Sequence, residues 1–183
     1  MRRILDRLYD AALALAALTF AMIALLVLVQ IAGRLIDRAA RAIGAPPPGL
    51  TVPSLAEIGA FLFIGAVFLG LAGTLRAGGH VRVTLLTRAL APGPARLLGL
   101  AVTLGAAGLT GFATWSSAEQ MLDSWRFGSV SYGMVKVPLW LPQGVMTLGL
   151  ALLGVALLDA LAALMRGETP AHERAEAARG EHG

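Results

Sequence analysis

Apolar residues run along this chain in long blocks. Four stretches carry no charged residue: 11–33, 58–75, 97–118 and 137–158. A helix rises about 1.5 Å per residue, so about 20 residues cross roughly 30 Å of hydrocarbon. The second stretch reaches that length once Ala56, Glu57 and Arg76 extend it. The pattern predicts an all-α integral membrane protein with four transmembrane helices, over residues 11–33, 56–76, 97–118 and 137–158. The period-two alternation of an outer-membrane barrel strand is missing from all four. The first stretch is too long for the apolar core of a signal peptide, about 7–15 residues, and is read as a span.

Breaker residues divide the blocks. Beyond Gly33 the first helix is expected to continue to Ile43, because Leu35, Ile36, Ala39 and Ile43 share one face. Gly44 is placed as its C-cap, and Pro46-Pro47-Pro48-Gly49 forbids further helix. Such a helix is about 60 Å long, twice the hydrocarbon thickness, and must protrude, tilt or bend. Ser54 and Glu57 have the spacing of a capping box at the second span. Arg76-Ala77-Gly78-Gly79 closes that span. Residues 81–90 are basic and apolar, which suits a short interfacial helix before Pro92-Gly93-Pro94 breaks it. Residues 1–166 are read as one four-helix membrane domain. Residues 167–183, small and charged, are read as a flexible tail.

Composition strengthens this reading. Hydrophobic residues make up 57% of the 183, charged residues 14%, and cysteine is absent. A soluble domain carries about 25% charged residues. The lack of cysteine excludes disulfides, a thiol catalyst and a cysteine-ligated metal. The net charge of +4 reflects membrane topology here, not a nucleic-acid partner, because the cations punctuate apolar runs. Arg2, Arg3, Arg7, Arg76, Arg82, Arg88, Arg96, Arg166, Arg174 and Arg179 fall on one side. Arg34, Arg38, Arg41, Arg126 and Lys136 fall on the other. The excess predicts both termini in the cytoplasm. Trp115, Trp125, Phe127, Tyr132 and Trp140 gather towards the opposite side, and the three tryptophans are expected to act as interfacial anchors.

No Asp, Glu, Lys, Arg or His lies well inside a span. A charge at the bilayer centre costs about 2.5–3.5 kcal/mol, so one is normally kept only for ion or proton passage. His80 falls in a turn, and His172 and His182 in the tail, so haem or metal ligation within the bilayer is not expected. The chain is read as no enzyme and as holding no cofactor. Two columns of small residues stand out instead: Gly99, Thr103, Ala107 and Gly111 on the third span, and Ala66, Gly70 and Thr74 on the second. Such columns let helix backbones approach closely. They are expected either to close the four-helix bundle or to face a partner subunit.

The stretch SLAEIGAFLFIGAVFLGLAGTLRAGGHVRVTLL from Ser54 resembles the small membrane subunit, DctQ type, of TRAP (tripartite ATP-independent periplasmic) transporters. Glu57 opens the span, Phe68-Leu69-Gly70 lies mid-span and Arg76 closes it. Gly79-His80-Val81 and Val83 follow. A first span ending in Arg34 and a fourth entered by Val137-Pro138-Leu139-Trp140-Leu141-Pro142 agree in order. Thr84 stands where the family often has an acidic residue, so a contact by that carboxylate does not carry over. The resemblance implies an inner-membrane subunit of a sodium-coupled organic-acid transporter. Its partners would be a large multi-span elevator-type subunit, a periplasmic substrate-binding protein and membrane lipids. The small subunit would extend and anchor the static scaffold. Arg34, Glu57, Gly70, Arg76 and His80 are then candidates for contact with the large subunit or lipid, with Arg34 and Glu57 as a possible pair. Two alternatives are a stand-alone homodimeric four-helix exporter, which usually needs a carboxylate inside a span, and a lipid-active enzyme, which needs an acid–base or metal cluster at one interface.

Overall fold

The computed structural model describes residues 2–77 and 91–168. Four helices account for most of them: α1 (Arg2–Ala42), α2 (Leu55–Arg76), α3 (Pro92–Arg126) and α4 (Trp140–Met165). All four are long and apolar enough to cross a membrane. Among the described residues, extended pairing is confined to one isolated antiparallel bridge, Val130 with Pro138. His80, the proposed interfacial segment 81–90 and the tail beyond residue 168 lie outside the described residues.

The helix limits follow local chemistry. The 41 residues of α1 form one unbroken helix that stops where glycine allows it to. Gly44 adopts φ +73°, its N–H reaches the Arg41 carbonyl, and the Ala45 N–H reaches that of Ala40. This is a Schellman closure, which needs a left-handed residue. The third helix extends beyond its apolar span at both ends. Pro92 and Pro94 open it rather than precede it, because first-turn N–H groups need no intrahelical acceptor. Glu119 and Asp123 end the apolar run without ending the helix, which runs on to Arg126. The fourth helix starts at Trp140, later than expected, because residues 129–139 pair with one another. The Leu139 N–H bonds the Ser129 carbonyl at 3.0 Å, and that of Ser131 bonds the Val137 carbonyl at 2.9 Å.

The helices form an open row in the order α1–α2–α4–α3. The outer members, α1 and α3, share no packed face, so the expected closed four-helix bundle is not what forms. The column on α3 does not close it either. A Cβ added at Gly99 or Gly111 would meet nothing within 4 Å.

What holds α3 to α4 is a stripe that shares only Thr103 with that column. Arg96, Thr103, Thr110, Ser117 and Ser124 recur every seven residues and lie along one stripe of α3. Thr110, Ser117 and Ser124 are buried. Ser117 and Thr147 share a hydroxyl–hydroxyl bond of 2.7 Å. In the amide orientation that satisfies both its polar atoms, Gln143 donates to Ser124 Oγ at 2.7 Å. Arg96 donates to the Leu164 carbonyl at 3.1 Å and to that of Met165 at 3.4 Å. Thr114, beside the stripe, returns its hydroxyl to the Thr110 carbonyl of its own helix at 2.7 Å.

The two inner helices meet through glycine. A Cβ on Gly149 of α4 would lie 2.5 Å from the Phe68 carbonyl carbon and 2.8 Å from its Cβ, so the α2 backbone passes directly over that glycine. Gly65 of α2 faces Val145. On its other side α2 turns Gly70 and Gly73 towards Ala16 and Leu13 of α1. Gly70 therefore lies in the α1–α2 seam. Ala66, one turn earlier, is also buried, at 2% exposure. Phe20 and Phe63 add an edge-to-face ring pair at 6.1 Å.

This arrangement predicts opposite outcomes for two substitutions. Gly149→Ala forces α2 and α4 apart and should destabilise the chain by roughly 1–3 kcal/mol, the cost of overpacking. Gly105→Ala on α3 meets open space and should be neutral or slightly stabilising. Thermal unfolding of both variants in the same detergent checks the contrast.

Candidate partner interface

Glu57 does not complete a capping box. Ser54 adopts φ 55°, and its side chain makes no cap to the helix. Both side chains turn instead to the loop between α3 and α4. The Gly133 N–H donates to the Glu57 carboxylate at 3.1 and 3.2 Å, and the Val135 N–H donates to Ser54 Oγ at 3.0 Å. The loop is braced internally by Ser131, 3% exposed, whose hydroxyl accepts from the Val137 N–H at 3.1 Å and donates to the Val135 carbonyl. An acidic residue beside the first turn of α2 also suits the positive end of the helix dipole. Two chain segments 76 residues apart are thus latched at the mouth of α2.

Beside this latch α1 projects past the row. The segment from Gly44 to Ser54 runs back along it and is tethered at three levels. Asp37, 7% exposed, accepts from the Gly49 N–H at 2.9 Å. Gly33 lies against the Leu50 carbonyl, where a Cβ would collide. Gln30 accepts from the Val52 N–H at 2.6 Å. These tethers place the start of α2 level with Gln30. Arg34 is exposed on this projection and does not pair with Glu57, whose carboxylate holds the loop.

At the opposite end Arg76 is taken up within the chain. Its guanidinium pairs with Asp6 of α1 at 3.0 Å and lies over the Tyr9 ring at 5.9 Å. Both charged partners are about a third exposed, so the pair is a modest fastening. The Tyr9 hydroxyl is buried with no partner among the described residues. The other ion pairs among the described residues, Arg126–Asp123 and Arg166–Glu168, are local and exposed.

The tryptophans separate into two roles. The Trp125 and Trp140 rings lie tilted against each other, centroids 5.1 Å apart, and join the end of α3 to the start of α4. Trp115 lies ten residues before Trp125, about 15 Å along the helix, so it cannot stand at the same height. It is exposed on the outer side of α3 with Phe112. Phe127, Tyr132 and Met134 project from the latched loop.

Residues 23–167 match the family described as Tripartite ATP-independent periplasmic transporters, DctQ component. The chain belongs to this family. It is therefore a small membrane component of a TRAP transporter, seated in the bacterial inner membrane. Its family is a transporter component and not an enzyme family. A tripartite transporter of this kind also has a large membrane subunit and a periplasmic binding protein. No curated protein and no solved structure matches the chain.

Within this DctQ component the conspicuous sequence signals, Glu57 and Arg76, are spent on intramolecular contacts. Gln30 is the most polar residue within a span, but the sequence assigned no contact to it, to Asp37 or to Asp6. A polar residue at the end of an apolar run was the available signal for Gln30, and the seven-residue recurrence from Arg96 to Ser124 was readable for the α3–α4 seam.

Glu57→Ala should free the loop. The Gly133 amide, which loses a charged acceptor worth about 1.5–3 kcal/mol, should exchange hydrogen markedly faster. Glu57→Gln, which keeps an acceptor, should fall between. Hydrogen exchange of residues 129–137 in detergent reads the difference.

Proposed function

We propose that the chain enlarges the static scaffold of a sodium-coupled TRAP transporter for organic acids, without itself binding cargo or ions. One observation carries this reading: the apolar stretches hold no ionisable residue, so cargo and sodium would find no charged ligand there. The row is instead tied by fixed contacts. Gly149 lies under the α2 backbone, the hydroxyl stripe binds α3 to α4, and the Glu57 latch braces the loop. An elevator-type subunit moves cargo only against something that does not move, and a braced row of helices with the paired rings of Trp125 and Trp140 at one end resists tilting.

Both termini lie in the cytoplasm in this reading, which puts the Glu57 latch and the α1 projection in the periplasm. The large subunit packs on an outer member of the row, since both sides of α2 and α4 are already engaged. The open column positions Gly99 and Gly111 on α3 are the proposed seat, because they leave room for a second backbone. His80 and Arg34 remain candidates for contact with that subunit or with lipid. Glu57 and Arg76 would act indirectly, by holding the surfaces beside them.

Two measurements test the reading. Purified from native membranes in mild detergent, the chain should co-elute with a multi-span subunit. It should also support uptake in liposomes only together with that subunit and the binding protein. Counterflow by this chain alone would overturn the proposal in favour of a stand-alone exporter. Because the sequence has no cysteine, single-cysteine variants label cleanly. A cysteine replacing Tyr132 should react with an impermeant maleimide in spheroplasts. Labelling only after lysis would reverse the orientation.

A further inference from the structure

The end of the row that holds Arg76 contains a polar group with nothing to bond. The Tyr9 hydroxyl is buried, in a residue only 5% exposed, and has no hydrogen-bond partner among the described residues. Such a hydroxyl has given up its bonds to water and gained none in return. Asp6 and Arg76 stand beside it, but these two pair with each other at 3.0 Å. The Arg76 guanidinium meets the ring face of Tyr9 rather than its oxygen. Arg7 and Asp10, its neighbours on α1, are exposed.

The helix registers bring one more polar group to this place. The first two helices run antiparallel, with Leu13 against Gly73 and Ala16 against Gly70, and the same register sets Tyr9 beside Arg76. By contrast α2 and α4 run parallel, with Gly65 facing Val145 and Phe68 facing Gly149. Continued at that spacing, Arg76 is level with Leu157 of α4, and Asp159 stands about 3 Å beyond. Side chains on a helix lean towards its N-terminus. Tyr9 therefore leans past the level of Arg76 while Asp159 leans back towards it, and the two converge. Asp159 is half-buried next to Ala160, which is buried in the row, and enters no ion pair among the described residues. Tyr9 precedes the apolar stretch 11–33. Burial pushes its hydroxyl above the usual phenol range, the Asp159 charge raises it further, Arg76 opposes the rise and Asp6 adds to it.

We propose that one ordered water bridges the Tyr9 hydroxyl and the Asp159 carboxylate. The hydroxyl donates to the water, and the water donates to the carboxylate. A buried water is held by two to four polar partners, and these two groups supply the first pair. The bridge ties α1 to α4 across the end of α2, although these two helices share no extended packed face. Together with the Asp6–Arg76 pair it makes this end of the row a three-helix clamp. The tie belongs to the chain alone and is the same whichever way the chain faces the membrane.

The sign of one substitution tests the bridge. Tyr9→Phe keeps the ring under Arg76 and removes only the hydroxyl. Loss of a merely unpaired hydroxyl would leave stability unchanged or raise it. Loss of a bridged one should raise the unfolding equilibrium constant about fivefold, the worth of a net hydrogen bond. Reversible unfolding of the full chain in mixed micelles reads the change. Asp159→Ala should then cost less in the Tyr9→Phe chain than in the wild type, because the two groups act as one unit. A spectroscopic readout is independent of stability. The sequence has two tyrosines, and Tyr132 is 97% exposed. In a Tyr132→Phe chain the alkaline change in absorbance reports Tyr9 alone, and Asp159→Asn should lower its midpoint. A neutral or stabilising Tyr9→Phe, additive effects of the two substitutions, or a midpoint indifferent to Asp159→Asn would each overturn the proposal.

Discussion

Helices surrounded by lipid gain little from burying apolar side chains against one another, because the acyl chains are equally apolar. Association must come from close backbone approach and from hydrogen bonds that lipid cannot offer. Every seam in this chain obeys that constraint. The α2–α4 seam depends on Gly149 lying under the Phe68 backbone, and the α1–α2 seam on Gly70 and Gly73 beside Ala16 and Leu13. The α3–α4 seam uses hydroxyls, Ser117 to Thr147 and Ser124 to Gln143. Leucines and phenylalanines are largely left on the outside, as Leu25, Leu109 and Phe112 are. In water this would be an inverted protein; in a bilayer it is the consistent solution.

The polar contacts lie at the ends of the row for the same reason. Water and headgroups there lower the cost of a carboxylate or guanidinium, and the loop backbones need partners. Glu57, Ser54, Gln30 and Asp37 each accept from a backbone N–H of a loop rather than from another side chain. Irregular backbone is thereby satisfied at the membrane edge. At the other end Arg76 draws α1 and α2 together through Asp6 and the Tyr9 ring. Fastened ends and thin seams make a stiff, open row, the property that the proposed scaffold role needs.

An open row also has consequences for assembly. A closed bundle would hide most of its small residues, whereas here α1 and α3 keep one flank each for lipid or protein. Thr103, Thr110 and Ser117 look inward on α3 while Gly105 and Gly108 look out. One helix thus offers a polar stripe to its own chain and a thin, apolar flank to its surroundings.

The apolar runs by themselves determined the class of protein, the number of helices and the length of α1, because hydrocarbon thickness and helix rise admit few other solutions. The family was legible in the ordered residues from Glu57 to Arg76 and in the entry to the fourth span. The apolar spans do not coincide with the limits of α3 and α4, because charge marks where the lipid stops, whereas hydrogen bonding marks where a helix stops. Sequence could not assign partners to Glu57, Arg76 or Gly70, because a capping box and a long-range latch have the same local spelling. Which column of α3 is buried was settled only by tertiary structure. Glycine and serine are both small enough for close approach, and the hydroxyls facing Thr147 and Gln143 decided between the two sides.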